Sequence, residues 1–544
     1  MQAQTGEVSP LNSQTKKLIS RYQDWYQLKQ PQKETVTIHV DEVASTVARF
    51  YEKIRMVVDW KEEHLIRRIA TERILKRRLL MSSGNPEDLA EHFIKELIRG
   101  GHFPNDTIPQ SKIKRVKKII EKYQYIFKNA PPLPATKNKS QFFTQIAETA
   151  ACEVESILDP ASYLKADALI EYMEKLVKPK IQIGKRADAQ TGITESTLNI
   201  QLYIAIQQAL LRLDEPIITY NLLRRYFDDW SYLSPNRVEE ITKNIHAILG
   251  NIEKHFNYIL ADKFYKICKQ YNTPYILMGD ILQHDPMGIE EKINYPGFLE
   301  KYIKSAYNIR LKSLKKKLRR SAIYSTLSVF LTNSFSLYLV EIPLAVALVG
   351  SFKPIAIAVD ILGPTALMAF LVATIRPPKK DNFLLVMKEV NKICFQEEAT
   401  DIYEIELYPK KSVIFKIISG LLYLASFVAV FGLIVWIFWS VNFPPFSYII
   451  NIIFTSLIAF AGTIIRQRAR ELHVTEEKGS IFHIIIEPIS IPIIRAGKWL
   501  SARWKKINIV AVFFSLLIDT PFLIFAEFLE QWRYFLKEKK EDIR

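Results

Sequence analysis

Four long runs of apolar residues lie in the C-terminal part of the chain. They cover residues 322–352, 354–375, 413–442 and 443–465, and their charged side chains are Glu341, Asp360 and Lys416. A helix needs about 20 apolar residues to cross the hydrocarbon core of a bilayer. The pattern therefore predicts four transmembrane helices. Residues 1–320 are charged throughout and show helical periodicity. We expect an all-α, multi-pass helical membrane protein with a large N-terminal cytoplasmic helical domain.

Basic residues cluster at one end of each apolar run. Lys315–Arg320 precede the first run, Arg376, Lys379 and Lys380 follow the second, Lys410 and Lys411 precede the third, and Arg466, Arg468 and Arg470 follow the fourth. Cytoplasmic loops carry an excess of Lys and Arg. The pattern predicts two transmembrane hairpins, 321–376 and 413–466, joined by a cytoplasmic connector, 377–412. Because the first residues resemble no signal peptide, we expect both termini in the cytoplasm and the protein in the plasma (cell inner) membrane.

Residues 467–544 contain two further apolar stretches, 481–500 and 507–526. If both crossed the bilayer, the basic connector SARWKK would lie outside, against the charge bias. We therefore expect interfacial or re-entrant amphipathic helices there, with Trp499, Trp504 and Trp532 at headgroup level and a charged cytoplasmic C-terminus. Six spans are the alternative.

The N-terminal half divides by composition. Residues 1–34 are polar and predict a disordered tail, and the segment NAPPLPATKNK at 130–140 predicts a linker. The tail and the linker together delimit one predicted helical subdomain at 35–129 and another at 141–320. In the second, an apolar stripe runs from Val238 to Ile259 at helical spacing, which favours core packing or, alternatively, a coiled-coil seam.

The net charge of +17 is concentrated next to the first apolar run. Residues 301–320 hold nine basic side chains and no acid, around a stripe formed by Ile303, Tyr307, Leu311, Leu314 and Leu318. This pattern is typical of an amphipathic juxtamembrane helix on an anionic leaflet. The candidate anionic-lipid contacts are Arg310, Lys312, Lys315, Lys316, Lys317, Arg319 and Arg320. The alternative is a plain topology determinant. We expect anionic headgroups, and no nucleic acid, as partners.

Two acidic residues shortly before prolines lie inside the first two apolar runs. They occur in Glu341-Ile-Pro343 and Asp360-Ile-Leu-Gly-Pro364, and hairpin geometry places both carboxyl groups at similar depth. Charged residues inside a membrane are functional candidates, and proline frees carbonyl groups that can bind a cation. Glu341 and Asp360 are therefore a candidate intramembrane ion or proton site. Alternatively, each pairs with Lys353, Lys416 or Arg495 and only orients the helices.

Other chemistry finds little support in the sequence. The phosphate-binding, nucleophile-elbow and zinc-protease motifs are absent, and the three cysteines lie far apart. We expect no catalytic residues, no metal site and no cofactor. His483 and Glu487 could form a lipid-active pair, but one His and one Glu at helical spacing arise easily by chance.

Two functions fit the sequence. The first is a membrane-anchored interaction or scaffold protein that works through its cytoplasmic domain and has a protein partner or forms a homo-oligomer. The alternative is a proton- or cation-coupled transporter or channel that uses Glu341 and Asp360.

Overall fold

The structure is a computed structural model of the full chain. It describes residues 10–30, 36–40, 63–81, 86–133, 138–293, 295, 297–349, 354–375, 377–378, 381–396, 401–407, 412–440, 443–474, 481–507, 528, 531–532 and 535–536. Helices dominate these residues, and the described strands are two segments of three residues each. The predicted all-α class is confirmed.

The N-terminal part of the chain consists of helices of moderate length. They are α1 (Ser13–Lys29), α2 (Glu63–Met81), α3 (Pro86–Arg99), α4 (Ser111–Asn129), α5 (Lys139–Leu158), α6 (Pro160–Val177), α7 (Lys185–Thr191), α8 (Glu195–Ile206), α9 (Glu215–Tyr226), α10 (Pro235–Phe256), α11 (Ala261–Gln270), α12 (Asn272–His284) and α13 (Ile289–Lys292). Strand β1 (Ile181–Ile183) lies between α6 and α7, and α8 continues into a π-helical turn, Gln207–Leu211.

The remaining elements contain the apolar runs. They are α14 (Phe298–Ser336), a π-helical turn (Leu337–Glu341), α15 (Ile342–Val349), α16 (Pro354–Ala373), α17 (Asn382–Phe395), β2 (Tyr403–Ile405), α18 (Val413–Ser440), α19 (Pro445–Ala469) and α20 (Ile481–Ile507).

Helix starts follow local capping chemistry. The Asn12 side chain accepts from the Thr15 amide at the start of α1, and Asp159 does the same for Ser162 at the start of α6. Side-chain acceptors at this position satisfy amide groups that have no partner within the helix. Helix α3 ends at Arg99, and Gly101 follows with φ 75°, a left-handed conformation that is common just after the end of a helix.

The predicted boundary at 130–140 does not separate two domains. Helices α4 and α5, which flank it, pack against each other: the Phe127 and Phe142 ring centroids lie 6.3 Å apart, and Lys122 bonds Glu153 at 2.7 Å. Both helices belong to one hydrophobic core, here named the first core, built from residues 38–158 and 204–256. The helices on both sides of the predicted linker therefore share one core, and the linker does not separate them into two domains. The α10 stripe packs into this core with Ile241, Ile245 and Ile252 buried, as the core interpretation predicts, but its last predicted member, Ile259, lies beyond the end of α10 and is 62% exposed.

A second core joins segments from the whole length of the chain. It combines α1, α6, α8, α11, α12 and the first half of α14 with α17 and with Leu472 and Val474, which follow α19. Strand β1 pairs in parallel with β2, which lies between α17 and α18. The Asn382 amide, at the start of α17, donates to the Leu472 carbonyl at 2.6 Å. The connector between the predicted hairpins is therefore part of the second core.

Helix α1 corrects the prediction of a disordered tail at 1–34. Residues 13–29 form a helix whose Leu18, Ile19, Tyr22 and Trp25 are buried against α6. The Asn12 side chain also donates to the Ile393 carbonyl at 2.8 Å. The segment is polar on average, but its few apolar residues are spaced by three or four and share one face.

Replacing Ile19 by alanine is expected to destabilise the second core. Ile19 is fully buried, and removing such a side chain typically costs about 2–5 kcal/mol through lost burial and the cavity that remains. Thermal unfolding of the purified chain, followed by circular dichroism, measures the change. Leu28→Ala, on the exposed face of the same helix, is the control and should leave the melting curve unchanged. Equal curves for Ile19→Ala and the native protein would contradict the packing of α1.

Three of the described helices are long and apolar enough to cross a membrane. They cover Phe298–Ala347, Val413–Ser440 and Ser447–Ala469, and a shorter apolar helix covers Ile357–Ala373. Much of α18 is exposed and apolar, including Leu422 at 67% and Trp439 at 68%. Such a surface suits hydrocarbon better than water.

Helix α20 packs along α19 and α18. Gly497 lies directly against the Ser456 backbone, halfway along α19, at a place with no room for a side chain. Arg495 lies over the Tyr423 ring of α18, 4.9 Å from its centroid. Trp499 is exposed. Residues 508–527, Trp504's side chain and the last residues of the chain lie outside the described part, so the predicted orientation of the C-terminal segments stays a prediction.

Candidate intramembrane ion site

Polar side chains from three helices meet inside the apolar bundle. Asn333 comes from α14, Glu341 from the π-helical turn, Asp360 from α16, and Ser447 and Asn451 from α19; each is at most 1% exposed. The first hairpin thus brings Glu341 and Asp360 into one cluster, as their spacing predicts. Asn333, Ser447 and Asn451 are additional members that the sequence analysis missed.

Proline chemistry explains how Asp360 is held. Pro364 lies inside α16 and has no amide hydrogen, so the carbonyl of Asp360, four residues earlier, has no partner within the helix. The Asn333 side-chain amide of α14 donates to this carbonyl. A side chain of the neighbouring helix therefore replaces the missing backbone bond and fixes α14 against α16.

A π-helical turn places Glu341 in the cluster. The Ile342 amide donates to the Leu337 carbonyl, five residues back, and Pro343 follows directly. The wider turn buries Leu337 and Glu341 completely, while Leu339 between them is 71% exposed. Such single π-turns are frequent at functional sites.

Helix α19 contributes the remaining side chains of the cluster, Ser447 and Asn451. The Asn451 amide donates to Oδ1 of Asp360 and to the Ser447 carbonyl, the latter at 3.1 Å. Ser447 and Asn451 are four residues apart, so one face of α19 carries both toward the acids. The Ser336 and Ser447 hydroxyl groups lie beside the Glu341 carboxyl group, and the Asp360 carboxyl group is close enough to act on it electrostatically.

The cluster holds more hydrogen-bond acceptors than donors. Six buried oxygen atoms of the cluster have no hydrogen-bond partner of acceptable geometry. Five are pure acceptors, namely Oε1 and Oε2 of Glu341, Oδ2 of Asp360, Oδ1 of Asn333 and Oδ1 of Asn451, and the sixth is the hydroxyl oxygen of Ser447, which can also donate. Burying such groups without partners costs free energy, and burying two carboxylates side by side costs much more. A proton or a small cation would relieve both costs, because each binds to oxygen atoms and neutralises part of the charge.

The alternative, in which a basic side chain neutralises each acid, finds no support among the described residues. Within them, neither carboxyl group takes part in a salt bridge, and Arg495 stacks on Tyr423 instead. Lys353 and the side chain of Lys416 lie outside the described part.

The juxtamembrane basic residues fall into two groups. Arg310 forms a bidentate ion pair with Asp280 of α12, with a 2.7 Å contact from Nη2 to Oδ1, which ties α14 to the second core. The exposed members are Lys312, Lys315, Lys316, Lys317, Arg319 and Arg320. The structure thus gives Arg310 a protein partner. It also corrects the prediction that the apolar stripe of this segment lies on a leaflet, because Ile303, Tyr307 and Leu314 are buried in the second core. Lipid contact by the exposed basic residues stays a prediction.

The side chains of His483 and Glu487 lie outside the described part of the chain. Among the side chains that are described, no group of three or more His, Cys, Asp and Glu residues is arranged to hold a metal ion.

Comparison with known proteins gives no relative. No protein family, curated protein or solved structure matches the chain.

Proposed function

We propose that the protein is a multi-pass membrane transporter or channel that binds a proton or a monovalent cation at the Glu341–Asp360 cluster. The observation that carries this proposal is the surplus of buried oxygen acceptors around two carboxyl groups that have no basic partner among the described residues. A site built only to hold helices together would match donors to acceptors.

The proposed topology is two hairpins with both termini in the cytoplasm of a plasma (cell inner) membrane. The second core supports it, because it contains the start of α14, all of α17, β2 and the residues after α19. These segments are the cytoplasmic ends of all four apolar runs. If this core lies on one side of the membrane, the chain must cross the membrane an even number of times between the start of α14 and α17, and again between β2 and the residues after α19.

The architecture also supports coupling between the two halves of the protein. Helix α14 runs unbroken from buried Leu299 and Ile303 in the second core to Asn333 in the cluster. A rigid helix transmits displacement along its length, so a ligand or a second protein on the cytoplasmic domain would shift Asn333 relative to Asp360. Because four spans are few for a pathway, we propose a homo-oligomer.

Flux through proteoliposomes tests the proposed function. The purified full chain is reconstituted with a trapped dye that reports pH, Na⁺ or K⁺ in separate preparations, and a membrane potential is imposed first without, then with, a gradient of Na⁺ or K⁺. Protein-dependent movement of protons, or of one of these cations, is the expected result. If proteoliposomes and protein-free liposomes show equal flux in every gradient, the transport proposal is wrong.

A scaffold or interaction protein is the second candidate. It is favoured by a polar cleft of about 970 Å³ in the cytoplasmic domain, between α6, α8 and α9, where the side-chain oxygens of Asn199 and Asn221 are buried without a partner. Co-purification from native membranes in mild detergent tests it. A stoichiometric partner that is lost on substitution of cleft residues, but kept by Glu341→Gln, would favour this function over transport.

A further inference from the structure

A second cleft lies where the cytoplasmic domain meets the inner end of α19. One wall is formed by the π-helical turn Gln207–Leu211 and by α11, and the other by the last turns of α19. Its volume is about 560 Å³, within the range of small-molecule sites. The acids and amides of the intramembrane cluster do not line it.

The cleft carries an excess of positive charge. Its basic side chains are Arg212, Lys269, Arg468 and Arg470, and its acids are Asp262 and Glu471. Arg212 pairs with Glu471 at 2.6 Å. Two of the basic residues, Arg468 and Arg470, belong to the cluster that marks the cytoplasmic end of the fourth apolar run. Basic pockets on the cytoplasmic side of membrane helices suit phosphate-bearing headgroups.

Polar groups inside the cleft indicate a ligand that carries hydrogen-bond donors as well as a phosphate group. Gln201 is 1% exposed; its Nε2 donates to the His255 carbonyl at 3.0 Å, and its Oε1 has no partner. An acceptor of this kind suits a hydroxyl or ammonium group. The neighbouring backbone is strained, since Arg212 follows the π-turn with φ 55°, a conformation that non-glycine residues rarely adopt.

One side of the cleft is apolar. Ile464 lines it on α19, one helical turn before Arg468, and is 41% exposed. The order along α19 is thus an apolar surface on the membrane side and basic side chains on the cytoplasmic side. A phospholipid presents its acyl chains and its phosphate in the same order.

We propose that this cleft binds the headgroup of one anionic phospholipid. Arg468, Arg470 and Lys269 bind the phosphate, Gln201 accepts from a headgroup hydroxyl, and an acyl chain lies along Ile464. The site rests on the proposed position of α19's inner end at the cytoplasmic membrane face and is independent of transport by Glu341 and Asp360. It differs from the exposed basic face of α14, where side chains meet any anionic surface without enclosing a headgroup.

Lipid titration of the delipidated full chain in neutral detergent, read by native mass spectrometry, tests the proposal. The probes are short-chain phosphatidylglycerol, short-chain phosphatidylcholine and glycerol phosphate. We expect one tight phosphatidylglycerol per chain and at least tenfold weaker binding in Arg468→Gln/Arg470→Gln, because two charge-assisted contacts are lost. The control, Lys316→Gln/Lys317→Gln, removes the same charge from the exposed face of α14 and should retain the tight site.

Three results would overturn the proposal: equal binding by both double variants, equal binding of phosphatidylcholine, or binding of glycerol phosphate as tight as that of the lipid. The last would indicate a soluble phosphate compound as the ligand. If the arginine variant elutes as an aggregate, Lys269→Gln in the same cleft replaces it, with the same expected direction. The variant Glu341→Gln distinguishes failure of this proposal from failure of the transport proposal. It should lose flux and still bind the lipid as tightly as the native protein does.

Discussion

Glu341→Gln is expected to reduce proton or cation flux through proteoliposomes to the level of protein-free liposomes. Glutamine keeps the size of the side chain but can neither release a proton nor neutralise a cation. Glu341 is fully buried beside Asp360, so no nearby solvent can replace its function. Asp360→Asn should have the same effect, whereas Asn333→Ala should lower flux in part, because it frees the Asp360 carbonyl without removing an acid.

Two controls distinguish a loss of flux caused by the missing carboxyl group from a loss caused by misfolding. Glu239→Gln removes an exposed acid of α10 far from the membrane helices, and its flux should equal that of the native protein. All variants should show equal reconstitution and equal elution on gel filtration. Native flux in both Glu341→Gln and Asp360→Asn would show that the cluster has only a structural role.

The largest expected effect on stability is at Glu153, at the centre of the first core. Its fully buried carboxylate accepts from Lys122 at 2.7 Å and 2.8 Å, from the Tyr123 hydroxyl at 2.8 Å and from the Trp230 indole at 2.9 Å. Burial lowers the pKa of Lys122, and Glu153 opposes that effect. Glu153→Leu would remove the acceptor of the buried Lys122 ammonium group, the Tyr123 hydroxyl and the Trp230 indole. We expect a loss of about 3–5 kcal/mol in the free energy of unfolding.

Thermal unfolding of the full chain measures this cost. The paired variant Glu153→Leu/Lys122→Met removes the stranded charge and should recover part of the loss, because apolar replacement of a whole buried ion pair is often tolerated. A melting curve for Glu153→Leu equal to the native one would contradict the network.

The long apolar helices could be predicted because their signal is local. A run of about 20 apolar residues has one explanation whatever its neighbours are, and an acid within it stands out. The amides at Asn333 and Asn451 were missed because a neutral side chain leaves the run uncharged. The spacing of Ser447 and Asn451, four residues apart on one helix face, was the signal available in the sequence.

The packing of the two cores could not be predicted because it depends on contacts between residues far apart in the sequence. Proline and polar residues at 130–140 are equally suited to a domain linker and to a tight turn between packed helices, and only the Phe127–Phe142 contact distinguishes the two. The strands β1 and β2 have three residues each, so their pairing across more than 200 positions leaves little local trace in the sequence. In α1, average polarity obscured a four-residue apolar stripe.

Labelling with an apolar carbodiimide tests the central claim most directly, because this reagent modifies protonated carboxyl groups in apolar surroundings. The full chain in native-like membranes is labelled across a range of pH and of Na⁺ or K⁺ concentration, and the modified peptides are identified by mass spectrometry. We expect an adduct at Glu341 or Asp360 that decreases as pH rises and is absent from the Glu341→Gln/Asp360→Asn protein; a cation that binds the site should also slow its formation. An exchangeable site would be contradicted if neither acid were modified at any pH, or if labelling were independent of both pH and cations.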